Sequence, residues 1–244
     1  MPFDVVWVRS HFPGREIHWF DSLDTTMREA ARLSAAGCPE GTVIVAGEQT
    51  AGIGRHGHAW HSESCAGLYV SVILDKARRE GFFPALTLAI GIAARAAIHE
   101  ATGVDCDLRW PNDLLAGERK CTGILVNVEP TAAIAGIGIN VNHDSFPPDI
   151  APVATSLRLA SGMIHSREAI LVALLKAIDK WSVAPVDQVL AEFSRRSSFV
   201  RGRRVIVDGK TTGVTAGLDQ QGFLLLDCDN GQTVRILAGG VRPL

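Results

Sequence analysis

The chain has 244 residues, 47% hydrophobic and 20% charged, with 26 acidic against 24 basic side chains. That composition describes a soluble chain with a sizeable core and excludes fibrous, collagen-like and disordered proteins. A net charge of -2 gives no overall attraction for polyanions, so no nucleic-acid partner is expected without a local patch or a dedicated module. Apolar stretches such as Phe82 to Ala94 are interrupted before the ~18 residues a membrane span needs, and the N-terminus lacks a basic-then-apolar signal. A cytoplasmic location without membrane attachment is expected. Cys38, Cys65, Cys106, Cys121 and Cys228 are odd in number and far apart, and read as reduced, packed thiols.

Ile17 to Phe20 reads as a strand. Thr26-Met-Arg-Glu29 fits a capping box and opens a helix of about ten residues that stops at Gly37. Strands are predicted at Thr42 to Ala46 and Leu68 to Leu74, then an alanine-rich helix from Pro84 to Ala101. Strands follow at Leu108 to Trp110, Gly123 to Val128 and Ala133 to Val141. A helix opens at Ser166, with Ile170, Leu171, Leu174, Leu175, Ile178 and Trp181 at helical spacing, and another covers Val186 to Arg196. From Arg201 onward, β-branched runs punctuated by Gly202, Gly209, Gly213, Gly217, Gly222 and Gly231 predict a small all-β barrel that leans on the larger part. The change of character divides the chain into residues 1–196 and 197–244. Strands outnumber helices and follow one another across short turns, so α+β with a mixed sheet fits better than a doubly wound parallel sheet.

Gly52-Ile-Gly54-Arg-His-Gly57 matches the dinucleotide fingerprint letter for letter but fails on context. His58 to Gly67 shows no helical period, and some ten residues cannot hold a crossover helix, so the strand at Leu68 is expected to return antiparallel. What survives is a loop whose glycines let backbone amides approach an anion, with Arg55 as permanent charge and His56 and His58 as further donors. Trp60 at its end offers a flat face for an adenine, or is an ordinary core anchor.

Arg109-Trp-Pro-Asn-Asp113 sets a turn, the amide of Asn112 and the carboxylate of Asp113 directly after a strand. Lys120 opens the next core strand and can reach from its end into a cleft, or simply face water. In Gly136-Ile-Gly138-Ile-Asn140-Val-Asn142, alternation sends Asn140 and Asn142 to one face, as ligand-facing or as buried structural amides.

Taken together and in this order, Gln49-Thr-Ala-Gly-Ile-Gly-Arg55-His-Gly-His-Ala-Trp60, Arg109-Trp-Pro-Asn-Asp113, Lys120-Cys-Thr-Gly-Ile-Leu125 and Gly138-Ile-Asn140 resemble the biotin protein ligases that serve acetyl-CoA carboxylase. The resemblance covers nearly the whole chain. It implies a catalytic domain with a mixed sheet and helices on one side over residues 1–196, followed by an SH3-like barrel over residues 197–244. It also implies the reaction: biotin and Mg-ATP give biotinyl-5′-AMP, and a lysine of the biotin carboxyl carrier domain takes the biotinyl group. Carried over by position, Thr25, Thr26, Met27 and Gln49 line the ureido side of biotin, Gly52, Ile53, Gly54 and Arg55 cover its carboxylate and the phosphates, and Lys120 stands beside the reacting carboxylate. Arg55, His56, His58, Trp60, Asn112, Asn140 and Asn142 fall on the ATP side. Asp113 is a candidate base toward the acceptor lysine and a candidate magnesium ligand.

The chain departs from the family where Ile53 replaces an arginine, where His56 and His58 replace other basic residues, and where Met27 replaces an asparagine. The permanent charge of the loop is reduced, which leaves Arg55 as its chemically important residue, and ureido hydrogen bonding falls to Thr25 and Gln49. Arg195, Arg196, Arg201, Arg203 and Arg204 join the two parts, either solvated or with one facing ATP or an acidic carrier surface. A lipoate-protein ligase and a non-catalytic biotin-binding regulator are the alternative readings. A biotin-responsive repressor would need a helix-turn-helix domain ahead of residue 26. The chain is expected to act as a monomer or a homodimer.

Overall fold

The computed structural model describes residues 3–75 and 83–244. Met1 and Pro2 of the expected first domain, and Phe82 at the head of the apolar stretch, lie outside them. Seven strands form a mixed sheet: β1 (Ile17–Phe20), β2 (Val43–Ala46), β3 (Gly67–Asp75), β4 (Asp107–Arg109), β5 (Asp113–Ala116), β6 (Arg119–Val128) and β7 (Ala132–Asn140). Their spatial order is β1-β2-β3-β7-β6-β5-β4. Only β1 and β2 run parallel, and they are joined by α2 (Thr26–Ala35). As the short connection required, β3 returns antiparallel to β2, with Val43 opposite Val72 and Ala46 opposite Tyr69.

Strand alternation gives the sheet two different faces. Val43, Val45, Leu68, Val70, Val72, Ala133, Ala135, Ile137 and Ile139 point to one of them and share a core with α3 (Phe83–Thr102), α5 (Arg167–Trp181) and α6 (Val186–Arg196). The intervening residues Ile44, Ile73 and Ile134 point to the other, where Met27 and Ala30 of α2 cover them. The three long helices thus occupy one face, and the short α2 covers the edge of a face otherwise open to the site.

The capping box is displaced by one residue. Thr25, not Thr26, is the N-cap of α2, with extended backbone and a hydroxyl that accepts from Met27 N. Glu29 instead pairs with Arg32 one turn on. The slip frees the Thr26 side chain for the site. Four short elements go beyond the predicted set: α1 (Val5–Ser10), a 3₁₀ turn (Arg55–Gly57), α4 (Leu157–Ser161) and β5. Strand β6 also starts four residues before Gly123, because Gly117, at φ 62°, closes a tight hairpin between β5 and β6.

The C-terminal part is a five-stranded antiparallel sheet of β8 (Arg201–Val207), β9 (Thr211–Leu218), β10 (Leu224–Cys228), β11 (Thr233–Ile236) and β12 (Val241–Pro243). Val205, Val207, Leu224, Leu226 and Val241 belong to the same buried cluster as Leu108 and Trp110. Trp110 Nε1 donates to Gly222 O at 2.9 Å, and Ser197 Oγ donates to Leu108 O at 2.5 Å. The small sheet therefore leans on the segment that leads into Asn112 and Asp113. Among the described residues, no helix is long and apolar enough to cross a membrane.

Candidate active site

On the open face of the sheet, alternation aligns Gly123 of β6 with Gly136 and Gly138 of β7. No Cβ rises there, so neighbouring groups lie directly on the backbone. A Cβ on Gly138 would fall 2.4 Å from Trp60 Cε2, and one on Gly136 would fall 2.5 Å from Met27 Sδ. The indole and the thioether therefore rest on a glycine floor.

The polar wall comes from α2 and the segment after β2. Gln49 Oε1 accepts from Thr26 N at 2.9 Å and from Thr26 Oγ1 at 3.2 Å, while Gln49 Nε2 donates to Ser62 Oγ at 3.0 Å. Ser71 Oγ of β3 donates to Thr26 Oγ1 at 2.8 Å. Thr25 and Thr26 are buried, so the helix entry and Gln49 form one fixed polar unit. Thr25, Thr26, Met27, Gln49, Ile53, Gly54, Arg55, Trp60, Asn112, Lys120 and the glycine floor line a common cavity. Its volume is about 50 Å³, below the ~300–1,000 Å³ of a small-molecule site, because Trp60 and Met27 lie in it.

Two cations from separate stretches meet at this cavity. Arg55 Nη1 donates to Asn112 Oδ1 at 3.1 Å, and Asn112 Nδ2 in turn donates to Ile124 O at 3.0 Å. Burial lowers the pKa of the Arg55 guanidinium, while Asp113 and Asp208 oppose that shift; arginine stays charged at neutral pH. Lys120 Nζ is 2.5 Å from Asp113 Oδ1 and 5.3 Å from the centre of the Trp60 ring. The backbone of Lys120 is fixed on both sides, by Lys120 N to Val153 O and Thr155 N to Lys120 O. Asp113 Oδ2 accepts from Arg109 Nη2 at 2.7 Å.

Each oxygen of Asp113 thus faces a cation: Oδ2 accepts a hydrogen bond from Arg109, and Oδ1 makes an ion pair with Lys120 without hydrogen-bond geometry. Both ion pairs would have to loosen for Asp113 to take up a metal ion or an acceptor proton. Asp113 lies between Arg109 and Lys120.

Gly52 to Trp60 forms a small folded flap. Gly54 N donates to His58 O at 2.7 Å, Trp60 N donates to Gly52 O at 2.9 Å, and Ile53 bridges to Ala59. Gly52 is buried; a Cβ there would meet Trp60 O at 2.6 Å. Ile53, His56 and His58 are exposed. Beyond the flap, Arg55, His56, His58, Trp60, Asn112, Asp113 and Lys120 line a cleft of about 870 Å³ shared with Asp208 and Arg242 of the C-terminal sheet, ample for a nucleotide. A third cavity carries Trp60, Lys120 and Asn140; Asn140 is buried and donates from Nδ2 to Thr155 O at 3.0 Å.

Asn142 is not brought to these cavities. Strand β7 ends at Asn140, the alternation stops with it, and the Asn142 amide instead donates to His165 O and accepts from His165 N, both at 2.9 Å. None of the five linker arginines lines the shared cleft. Arg195 and Arg196 pair with Glu192, Arg204 pairs with Asp229, and Arg203 lies 4.7 Å over the Phe199 ring. Sequence reasoning missed Asp208, Arg109 as a partner of Asp113, and Arg242. The alternating pattern of β8 and β12 gives no sign of which exposed residues face the other sheet.

The profile of the Biotin/lipoate A/B protein ligase family matches residues 19–144, and that of the Biotin protein ligase C terminal domain matches residues 201–241. The chain is a member of the biotin/lipoate A/B protein ligase family. It is 32% identical over 238 residues to the Bacillus subtilis Bifunctional ligase/repressor BirA, covering 92% of this chain and 73% of that protein. It is 33% identical over 227 residues to the Mycobacterium tuberculosis Biotin--[acetyl-CoA-carboxylase] ligase, covering 88% of this chain and 83% of that protein. The solved structure of the Aquifex aeolicus biotin protein ligase in complex with biotin and ATP superposes with a TM-score of 0.84 at 30% identity, over 94% of this chain and 99% of that one.

Proposed function

We propose that this chain is a biotin–[acetyl-CoA-carboxylase] ligase: it activates biotin with ATP to biotinyl-5′-AMP and transfers the biotinyl group to a lysine of a biotin carboxyl carrier domain. The observation that carries the reading is the convergence of Arg55 and Lys120 on one cavity beside the Thr26–Gln49 polar wall. Adenylation brings a carboxylate against the α-phosphorus of a triphosphate, so two anions must be held in contact while charge builds on the phosphoryl oxygens. A guanidinium on one side and an ammonium on the other meet that need in a partly dry cavity.

Biotin's ureido ring is assigned to the wall of Thr25, Thr26 and Gln49, with Met27 against its apolar side. Met27 supplies no hydrogen bond, which leaves recognition of the ring to hydroxyl and amide groups. Gly52 to Arg55 are assigned to the carboxylate and phosphates, and Trp60, Asn112 and Asn140 to the nucleotide. ATP arrives as its magnesium complex, whose ion offsets phosphate charge; no residue of this chain is assigned to it. In the transfer step the acceptor lysine must lose a proton from a pKa of ~10.4, and Asp113, bound to two cations, holds Lys120 in place rather than taking that proton.

The mixed anhydride is destroyed by water, so a closing flap at 49–60 suits the chemistry. The direct test is pyrophosphate release from the purified protein with biotin and ATP together and separately, followed by transfer of labelled biotin or lipoate to carrier domains. Release that requires both biotin and ATP, with biotin transferred, is expected. Pyrophosphate release with lipoate alone would assign the other branch of the family, and release with neither acid would remove the reading.

A further inference from the structure

Beside the flap, three metal-ligating side chains meet. One atom each from His61, Glu63 and His143 lies within 4.8 Å of the other two. His61 and Glu63 are two residues apart in the irregular segment that carries the chain from Trp60 into β3. His143 lies three residues past the end of β7.

His143 is held like a ligand awaiting a partner. It is 1% exposed, its ring stacks on Phe146 with centroids 5.1 Å apart, and its carbonyl accepts from Ser156 Oγ at 2.6 Å. Tyr69 Oη donates its one proton to Glu63 O at 3.0 Å, so toward His143 Nε2, at 3.4 Å, it can act only as acceptor. That sets the tautomer with the proton on Nε2. Nδ1 then carries a lone pair, and it is buried with no hydrogen-bond partner. An orphaned acceptor of this kind is destabilising unless something satisfies it.

We propose that His61, Glu63 and His143 form a binding site for a divalent first-row transition cation, zinc foremost, that fastens the trailing end of the flap to the segment leaving β7. Two imidazoles and one carboxylate are a zinc donor set that leaves a fourth position for water. Buried His143 is the fixed member, with Tyr69 beside its ring as an outer partner. His61 and Glu63 are the more exposed members and close the remaining distance by side-chain rotation. The coordinated His61 also lines the cavity of Trp60, Lys120 and Asn140, so an occupied site fixes one wall of the nucleotide side.

The test uses the full chain, stripped with a chelator and titrated with Zn²⁺ against a chromophoric competitor. One equivalent is expected to bind, with millimolar Mg²⁺ unable to displace it. His61→Ala and Glu63→Gln should each weaken binding at least tenfold, and His143→Ala should abolish it. Because Glu63 is exposed, Glu63→Gln stays informative even if the buried His143 variant does not fold. Co²⁺ in place of zinc should give visible d–d bands without thiolate charge transfer, which separates this site from nearby exposed Cys65. No stoichiometric binding by the wild-type chain, affinity unchanged in both Glu63→Gln and His61→Ala, or a thiolate band would each overturn the assignment.

Discussion

Lys120 has an unusual set of neighbours for a lysine: a carboxylate at 2.5 Å, an indole face, and a glycine floor in which a Cβ at position 123 would fall 3.3 Å from Nζ. Loss of one such pre-organised donor typically costs ~3 kcal/mol at the transition state. Lys120→Ala and Arg55→Ala are each expected to slow biotin-dependent pyrophosphate release about a hundredfold; an effect below about threefold would mean a surface cation. Asp113→Asn separates two roles for one carboxylate. A positioning residue predicts that adenylation and transfer fall together, since Lys120 and Arg109 lose their anchor, whereas a base predicts loss of transfer alone from preformed biotinyl-5′-AMP. Gly138→Ala tests the floor, because its methyl would collide with the indole. The expected result is a red shift in tryptophan emission that disappears when Trp60 is also changed to Phe, together with slower adenylation.

The flap is the element whose behaviour decides the chemistry. Three backbone hydrogen bonds and one bridge fold it on itself, but its outer residues Ile53, His56 and His58 are exposed. His56 is held at φ 56°, a left-handed conformation that costs a non-glycine residue of order 1 kcal/mol. Such a segment sits at the low-stability end of the fold and opens locally at small cost. Ligand contacts through Arg55 and the loop amides offset the entropy of ordering it. Limited proteolysis within residues 49–60 is therefore expected to slow severalfold with biotin plus ATP, and less with either alone; cleavage indifferent to both would remove the lid.

For the whole molecule, the tie between the two sheets matters most. Trp110 is 3% exposed, belongs to the main core, and spends its one donor on Gly222 O in the turn between β9 and β10. Replacement by Phe keeps most of the apolar contact and strands a buried carbonyl. Trp110→Phe should lower unfolding free energy by about 1–3 kcal/mol, read as a lower thermal midpoint. It should also slow adenylation, because Asn112 and Asp113 follow two and three residues on and hold Arg55 and Lys120.

What the sequence determined by itself is local or periodic. The apolar spacing of α5, the glycines of the flap, the Trp-Pro-Asn-Asp turn and the antiparallel return of β3 were legible because each depends on neighbours within about ten residues. The family resemblance rested on those same segments. Which threonine caps α2, that β7 ends before Asn142, that Asp113 is saturated by Arg109 and Lys120, and that His143 meets His61 were decided only by the tertiary structure. The last is a contact between side chains far apart in the chain, and the others are local contacts whose choice among competing partners was set by packing. Burial, pairing and the direction of a lone pair are properties of the packed molecule, and no pattern along the chain records them.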